Sequence, residues 1–271
     1  MTNPVFERMR DSRGYATFGP PQGRSAGRSR TDVPGWSTPS ASDLDHLYAQ
    51  PSATTADTQR MTYDDVVVKT GIVFVALLAG AVVGWQVPGL MLIGLIGGLV
   101  LGLVNSFKRN PSPALIVGYG LLEGLALGGI SGLFETQYSG IVAQAVLATL
   151  SVFGVVLLGF RSGRLRTSPR LNKIFFIAIM GYLVFSVLNL VLISFAGQDS
   201  LRTGGLGLLI GAVAVLLASY SLVMDFEFIR GGVQQGVPAR FAWTAAFGLT
   251  VTLVWLYLEL LRILAILRSE N

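Results

Sequence analysis

Charged side chains stand inside or at the ends of long apolar runs at Glu123, Asp225, Glu227 and Glu259, with Arg230 and Arg262 close behind. A charge held in hydrocarbon costs at least about 2.5 kcal/mol unless it is paired or faces water, so each of these residues needs a reason. Burial disfavours the charged form of a carboxyl group, and two carboxyls that share a site titrate as a coupled pair. Groups of this kind respond to protons. Deprotonated, they are also the hard oxygen ligands that Ca²⁺ prefers. The chemistry on offer is proton sensing or the passage of a cation.

Each acid has a plainer reading beside the functional one. Glu123 lies nine residues, about 14 Å, into its apolar run, where a neutral, hydrogen-bonded Glu could simply join helices. Asp225 and Glu227 stand near Arg230, which suits an ion pair at the membrane surface. Glu259 stands three residues before Arg262, the spacing of a pair on one helix face. No enzyme constellation is visible. The only histidine, His46, sits beside Asp43 and Asp45 in the polar tail, so it can be neither a base within the membrane nor one of two zinc ligands. The Gly-x-Gly-Asp motif of intramembrane aspartyl proteases is absent, and without cysteine there is no disulfide, thiolate nucleophile or thiolate metal site. No cofactor is expected beyond calcium as a permeant ion.

The elements that must hold these residues are membrane spans. The chain of 271 residues is 52% hydrophobic and 13% charged, with a mean hydropathy of +0.61, where soluble domains carry roughly 25% charge. Seven apolar stretches are expected at 66–86, 89–107, 114–134, 140–160, 174–196, 204–228 and 243–267, together forming a transmembrane domain over 61–271. Thr62 reads as a helix cap, with Asp64 and Asp65 in the first turn. Residues 1–60 are rich in Gly, Pro, Ser, Thr and Arg and predict a disordered basic tail. No cleavable signal peptide is expected, because the first apolar run begins late and is too long. The net charge of +5 reflects this tail and alternate loops rather than a nucleic-acid surface. Lys108, Arg109, Arg161, Arg164, Arg166, Arg170, Lys173, Arg230 and Arg240 fall in loops on one side, and only Arg202 falls in the opposite loops. The positive-inside rule then puts the N-terminus in the cytoplasm and the C-terminus outside, with Arg268 a mild exception.

Packing signals accompany the acids. Gly120, Gly124, Gly128 and Gly132 recur every fourth residue in the third span, and Gly94, Gly98 and Gly102 do so in the second. That spacing lays small residues along one helix face, where a neighbouring backbone can approach closely. It predicts that spans two and three are central packed helices, with Glu123 beside the stripe and facing the bundle. The last stretch, Trp243 to Leu267, is expected to be the helix around which the other six are arranged.

Four stretches together resemble the Bax inhibitor-1, or transmembrane Bax inhibitor motif, family in its bacterial YccA-related branch. They are Met61-Thr62-Tyr63-Asp64-Asp65-Val66, Glu123-Gly124, Asp225-Phe226 with Gly232-Val233 and Gly236-Val237-Pro238, and Trp255-Leu256-Tyr257-Leu258-Glu259-Leu260-Leu261-Arg262. The Asn3-Pro4-Val5-Phe6 start looks similar too. The resemblance implies six helices around a central C-terminal one, in a multi-pass protein of the bacterial cell membrane. It also implies a pH-sensitive calcium leak gated by two acids, one late in helix six and one in helix seven. Asp225 matches the first and Glu259 the second, both as candidate calcium ligands and, with Glu123, as proton sites; from their positions Arg262, Arg230 and Glu227 are the candidate charge partners. A membrane regulator that binds other membrane proteins, such as a quality-control AAA protease, is the alternative the branch implies. The separation of Asp225 from Glu259 departs from the family pattern by about two helical turns. With segment seven starting at Trp243, Glu259 lies roughly 24 Å up and Asp225 near the inner face. Their meeting therefore requires a deeper sixth helix or an interfacial start to the seventh; alternatively, Glu259 pairs with Glu123.

Overall fold

The computed structural model describes residues 60–196 and 201–269; residues 1–59 of the expected tail, with His46 and the Asn3–Phe6 start, lie outside the described residues. The chain is all-α. Helices α1 (Tyr63–Gln86), α2 (Met91–Phe107), α3 (Pro113–Gln137), α4 (Ile141–Arg161), α5 (Pro169–Ala196), α6 (Gly204–Gln235) and α7 (Ala242–Ser269) follow in order, with 3₁₀ turns at Pro88–Leu90 and Ala239–Phe241. Seven helical segments are long and apolar enough to cross a bilayer.

Helix α1 starts where the capping residues place it. The Thr62 hydroxyl accepts from the Asp65 N–H at 3.1 Å, and the Asp65 carboxylate accepts from the Thr62 N–H at 3.1 Å, closing a capping box. This end is tied to the α6–α7 turn. Met61 is buried and its N–H donates to the Val237 carbonyl at 2.7 Å, while Lys69 donates to the Ala239 carbonyl at 2.7 Å. The Met61–Val66 motif is thus a docking element as well as a helix start. Thr62→Ala is expected to cost about 1 kcal/mol, read as a lower unfolding temperature in detergent.

Helix α7 is central. It contributes to each of the buried apolar clusters, meeting α4 and α6 through Ala245, Leu249 and Leu256, α1 and α3 through Ala246, Phe247 and Val254, and α4 again through Leu261 and Ala265. Its packing partners include α1, α3, α4 and α6.

The glycine stripe of α3 faces α1. A Cβ on Gly124 would fall on the Leu77 carbonyl oxygen, and one on Gly128 on the Ala81 carbonyl oxygen. Helix α1 answers in kind: a Cβ on Gly80 would strike the Leu121 oxygen and one on Gly84 the Leu125 oxygen. Gly120 abuts Val73, while Gly132 is only in loose contact with Trp85. The expectation for the second span needs correction. Gly94 and Gly98 do pack on α3, and Gly102 lies by Tyr119, yet these two glycines are the only buried residues of α2. Met91 and Leu101 are half-buried against α3 and its cluster, but most of its other large side chains are exposed, so α2 lies at the rim with one face turned in. A small-residue stripe identifies a close contact on one face and says nothing of the other.

Helix α6 also runs farther than hydropathy implies, to Gln235 rather than 228. Gly231 and Gly232 read as turn residues, but both are helical. The helix ends at Gly236, whose φ of 64° is the left-handed conformation that glycine adopts without a Cβ clash. Asp225 is consequently ten residues, about 15 Å, from the end of α6 rather than at it.

Candidate functional site

Asp225 points from α6 toward α7. The Thr252 hydroxyl donates to Asp225 Oδ2 at 2.7 Å, and Ser221, one turn earlier on α6, has its hydroxyl 3.3 Å from that of Thr252. Thr252 is buried. One turn below it on α7, Gly248 leaves room for the carboxylate: a Cβ there would stand 3.2 Å from Asp225 Oδ1. Among the described residues Asp225 forms no ion pair. Arg230 turns instead to Glu227, 4.0 Å away, and Glu227 also lies 3.7 Å from Arg166 of the α4–α5 connection. These pairs are half-exposed and belong to the end of the bundle.

Glu259 lies elsewhere. It is 2% exposed, and its carboxylate receives both available contacts of Arg262 Nη1, at 3.0 and 2.9 Å. The Tyr182 hydroxyl of α5 donates to the same carboxylate. From the α5–α6 connection Arg202 brings a second guanidinium to 3.7 Å. Arg202 lies over the Tyr182 and Phe185 rings, at 4.9 and 5.5 Å, and donates to the Ser186 hydroxyl. Tyr182 in turn packs on Trp255 of α7 at 5.6 Å. One carboxylate between two guanidiniums and a phenol therefore joins α5, the start of α6 and α7.

Glu123 occupies a third place, at the α2–α3 contact, with a carboxylate oxygen directed at Gly98. It makes no hydrogen bond or ion pair with the described residues. The structure therefore keeps the three acids apart. Thr252, which contacts Asp225, is two helical turns, about 10 Å, below Glu259 on α7, and Glu123 meets neither. Among the described residues no three Asp, Glu or His side chains cluster as a metal site would require. The expected charge partner Arg262 is in place at Glu259, whereas Arg230 is not at Asp225.

A largely apolar cleft of about 620 Å³ opens between α1 and α4 onto α7, with Thr70, Trp85, Ser131, Phe153 and Tyr257 in its walls. The Ser131 and Tyr257 hydroxyls bond each other across it at 2.6 Å. None of the three acids lines it.

Sequence reasoning missed Thr252, Tyr182 and Arg202. A lone threonine in an apolar span has no distinguishing signal. Arg202 did carry one, being the single basic residue in the loops of its side.

Residues 3–269 match the family model described as Bax inhibitor 1 like. No curated protein matches the chain.

Proposed function

The chain belongs to the Bax inhibitor 1 like family, and on that premise we propose that it is a proton-sensitive cation leak of the bacterial cell membrane, with calcium as the permeant ion. The observation that carries this reading is Asp225. It is a half-buried carboxylate at the interface with the central helix, held by the Thr252 hydroxyl and, among the described residues, in no ion pair. A group so placed can change charge without first breaking an ion pair, and its charge bears directly on how α6 and α7 pack. Calcium comes from the resemblance, since an oxygen ligand alone does not name the ion. The same reading puts the N-terminus in the cytoplasm and the C-terminus outside, on the distribution of Lys and Arg.

The test is Ca²⁺ flux into proteoliposomes at several pH values. Wild type is expected to leak in a pH-dependent way, and Asp225→Asn is expected to remove most of that dependence. Glu259→Gln is the companion variant. Flux with an unchanged pH profile in both variants would sink the reading. Flux should also survive deletion of residues 1–60; its loss there would favour a regulator that works by capturing other membrane proteins.

A further inference from the structure

We infer that Thr252, and not Glu259, is the central-helix partner of Asp225, so that Asp225 titrates as a single site and Glu259 serves a separate structural clamp. This rests on the leak reading for its functional meaning, but the geometry stands without it. Whichever α7 residue faces Asp225 has to occupy the height of position 252, because the Thr252 hydroxyl already bonds the carboxylate at 2.7 Å. Glu259 is two turns farther along the same helix, a gap of about 10 Å that exceeds the reach of its side chain. That side chain is also fully engaged by Tyr182, Arg262 and Arg202. Bringing Glu259 to Asp225 would require α7 to slide by two turns and all three contacts to break.

The seat around Asp225 suits one acid. A threonine hydroxyl both donates and accepts, so it can serve the charged and the neutral carboxyl alike. Ser221 extends the hydroxyl chain, and Gly248 supplies the space. Among the described residues, the charged groups of the surrounding elements pair elsewhere or stand at helix ends. On α1, Lys69 is held by Asp65 and the Ala239 carbonyl. Helix α4 carries no charge before Arg161. On α5, Arg170 and Lys173 stand in the first turns, far from Tyr182, and Tyr220 of α6 donates to Asn172 of α5. On α6 itself, Glu227 pairs with Arg166 and Arg230. On α7, Glu259 and Arg262 pair with each other. Thr252 is thus a positioning residue, and among the described residues no second acid shares the proton.

The experiment is a pH titration of the reconstituted full chain, followed in the carboxyl C=O stretching region of the infrared spectrum, with Ca²⁺ flux recorded on the same vesicles. Asp225→Asn identifies the Asp225 band by its loss. In wild type that band is expected to follow a one-proton curve. Thr252→Val should move the midpoint by about one pH unit, the size of a lost hydrogen bond, while leaving helix content unchanged. Thr252→Asp should replace the single step by two coupled ones. Glu259→Gln should leave the Asp225 curve where it is; should that variant fail to fold, Arg202→Met disturbs the same clamp and should give the same result. A two-step wild-type curve, or a midpoint moved by the clamp variants and not by Thr252→Val, would overturn the inference. Absence of flux alongside a one-proton curve would sink the leak reading alone, and flux alongside a two-step curve would sink the inference alone.

Discussion

Leucine at Gly124 or Gly128 is expected to prevent assembly of the bundle, and alanine at either position to lower its stability by about 3 kcal/mol or more, at the upper end of what overpacking costs. The reason is the kind of atom in the way. At Gly124 and Gly128 a new Cβ meets backbone carbonyls of α1, at Leu77 and Ala81, and a carbonyl fixed in a helix cannot turn aside as a flexible side chain can. Gly80 and Gly84 present the reciprocal case against Leu121 and Leu125, so the seam closes from both sides. Without a hydrophobic drive between helices in lipid, such close backbone contact is a main source of their association. Gly154 and Gly181 supply the control. Both are helical, with nothing within 4 Å of an added Cβ. Alanine there should be neutral or gain up to about 1 kcal/mol from helix propensity. Thermal unfolding in detergent reads both sets. A Gly124→Ala protein as stable as Gly181→Ala would show that the α1–α3 seam is not the tight contact described above.

Glu259→Ala is expected to destabilise the fold by about 3–5 kcal/mol, the usual cost of breaking a buried pair and leaving charge behind. Arg262, Arg202 and the Tyr182 hydroxyl all converge on this carboxylate, and its removal takes away the one acceptor they share. Arg202→Ala should cost less, because Glu259 keeps Arg262 and Tyr182. Replacing all three charges together by apolar residues of similar size should recover much of the loss, since the pair itself is worth little more than the desolvation it offsets. Unfolding temperatures of the single variants and the triple variant decide this. A Glu259→Ala protein that unfolds with wild type would mean that the cluster does not join α5, α6 and α7.

These two regions show how far local sequence reaches. The Gly120–Gly132 stripe was legible because a helix repeats every 3.6 residues, which puts every fourth glycine on one face whatever lies opposite. What lay opposite was not legible. Gly80 and Gly84 of α1 complete the seam, and the similar stripe of α2 turned out to mark a rim helix. The Glu259–Arg262 pair was legible for the same local reason, being three residues apart on one helix. The meeting of Arg202 and Tyr182 with Glu259, and of Thr252 with Asp225, was not.

The sequence by itself determined the class of protein, the seven spans, the start of α1 at its Thr62–Asp65 box, the central place of the last helix, and the acids that merit attention. The class, the spans, the start of α1 and the acids follow from hydropathy, helical period and capping, which act over a few residues, whereas the central place of the last helix was implied by the family resemblance. The tertiary structure decided which groups meet. Thr252 reaches Asp225 across 27 residues of chain and Tyr182 reaches Glu259 across 77, and both contacts depend on the depth and rotation of whole helices. Apolar composition leaves depth and rotation nearly free, because a lipid-facing stretch is equally content at several heights. Only the packing of α7 against its neighbours settles them, and with them the separation of Asp225 from Glu259.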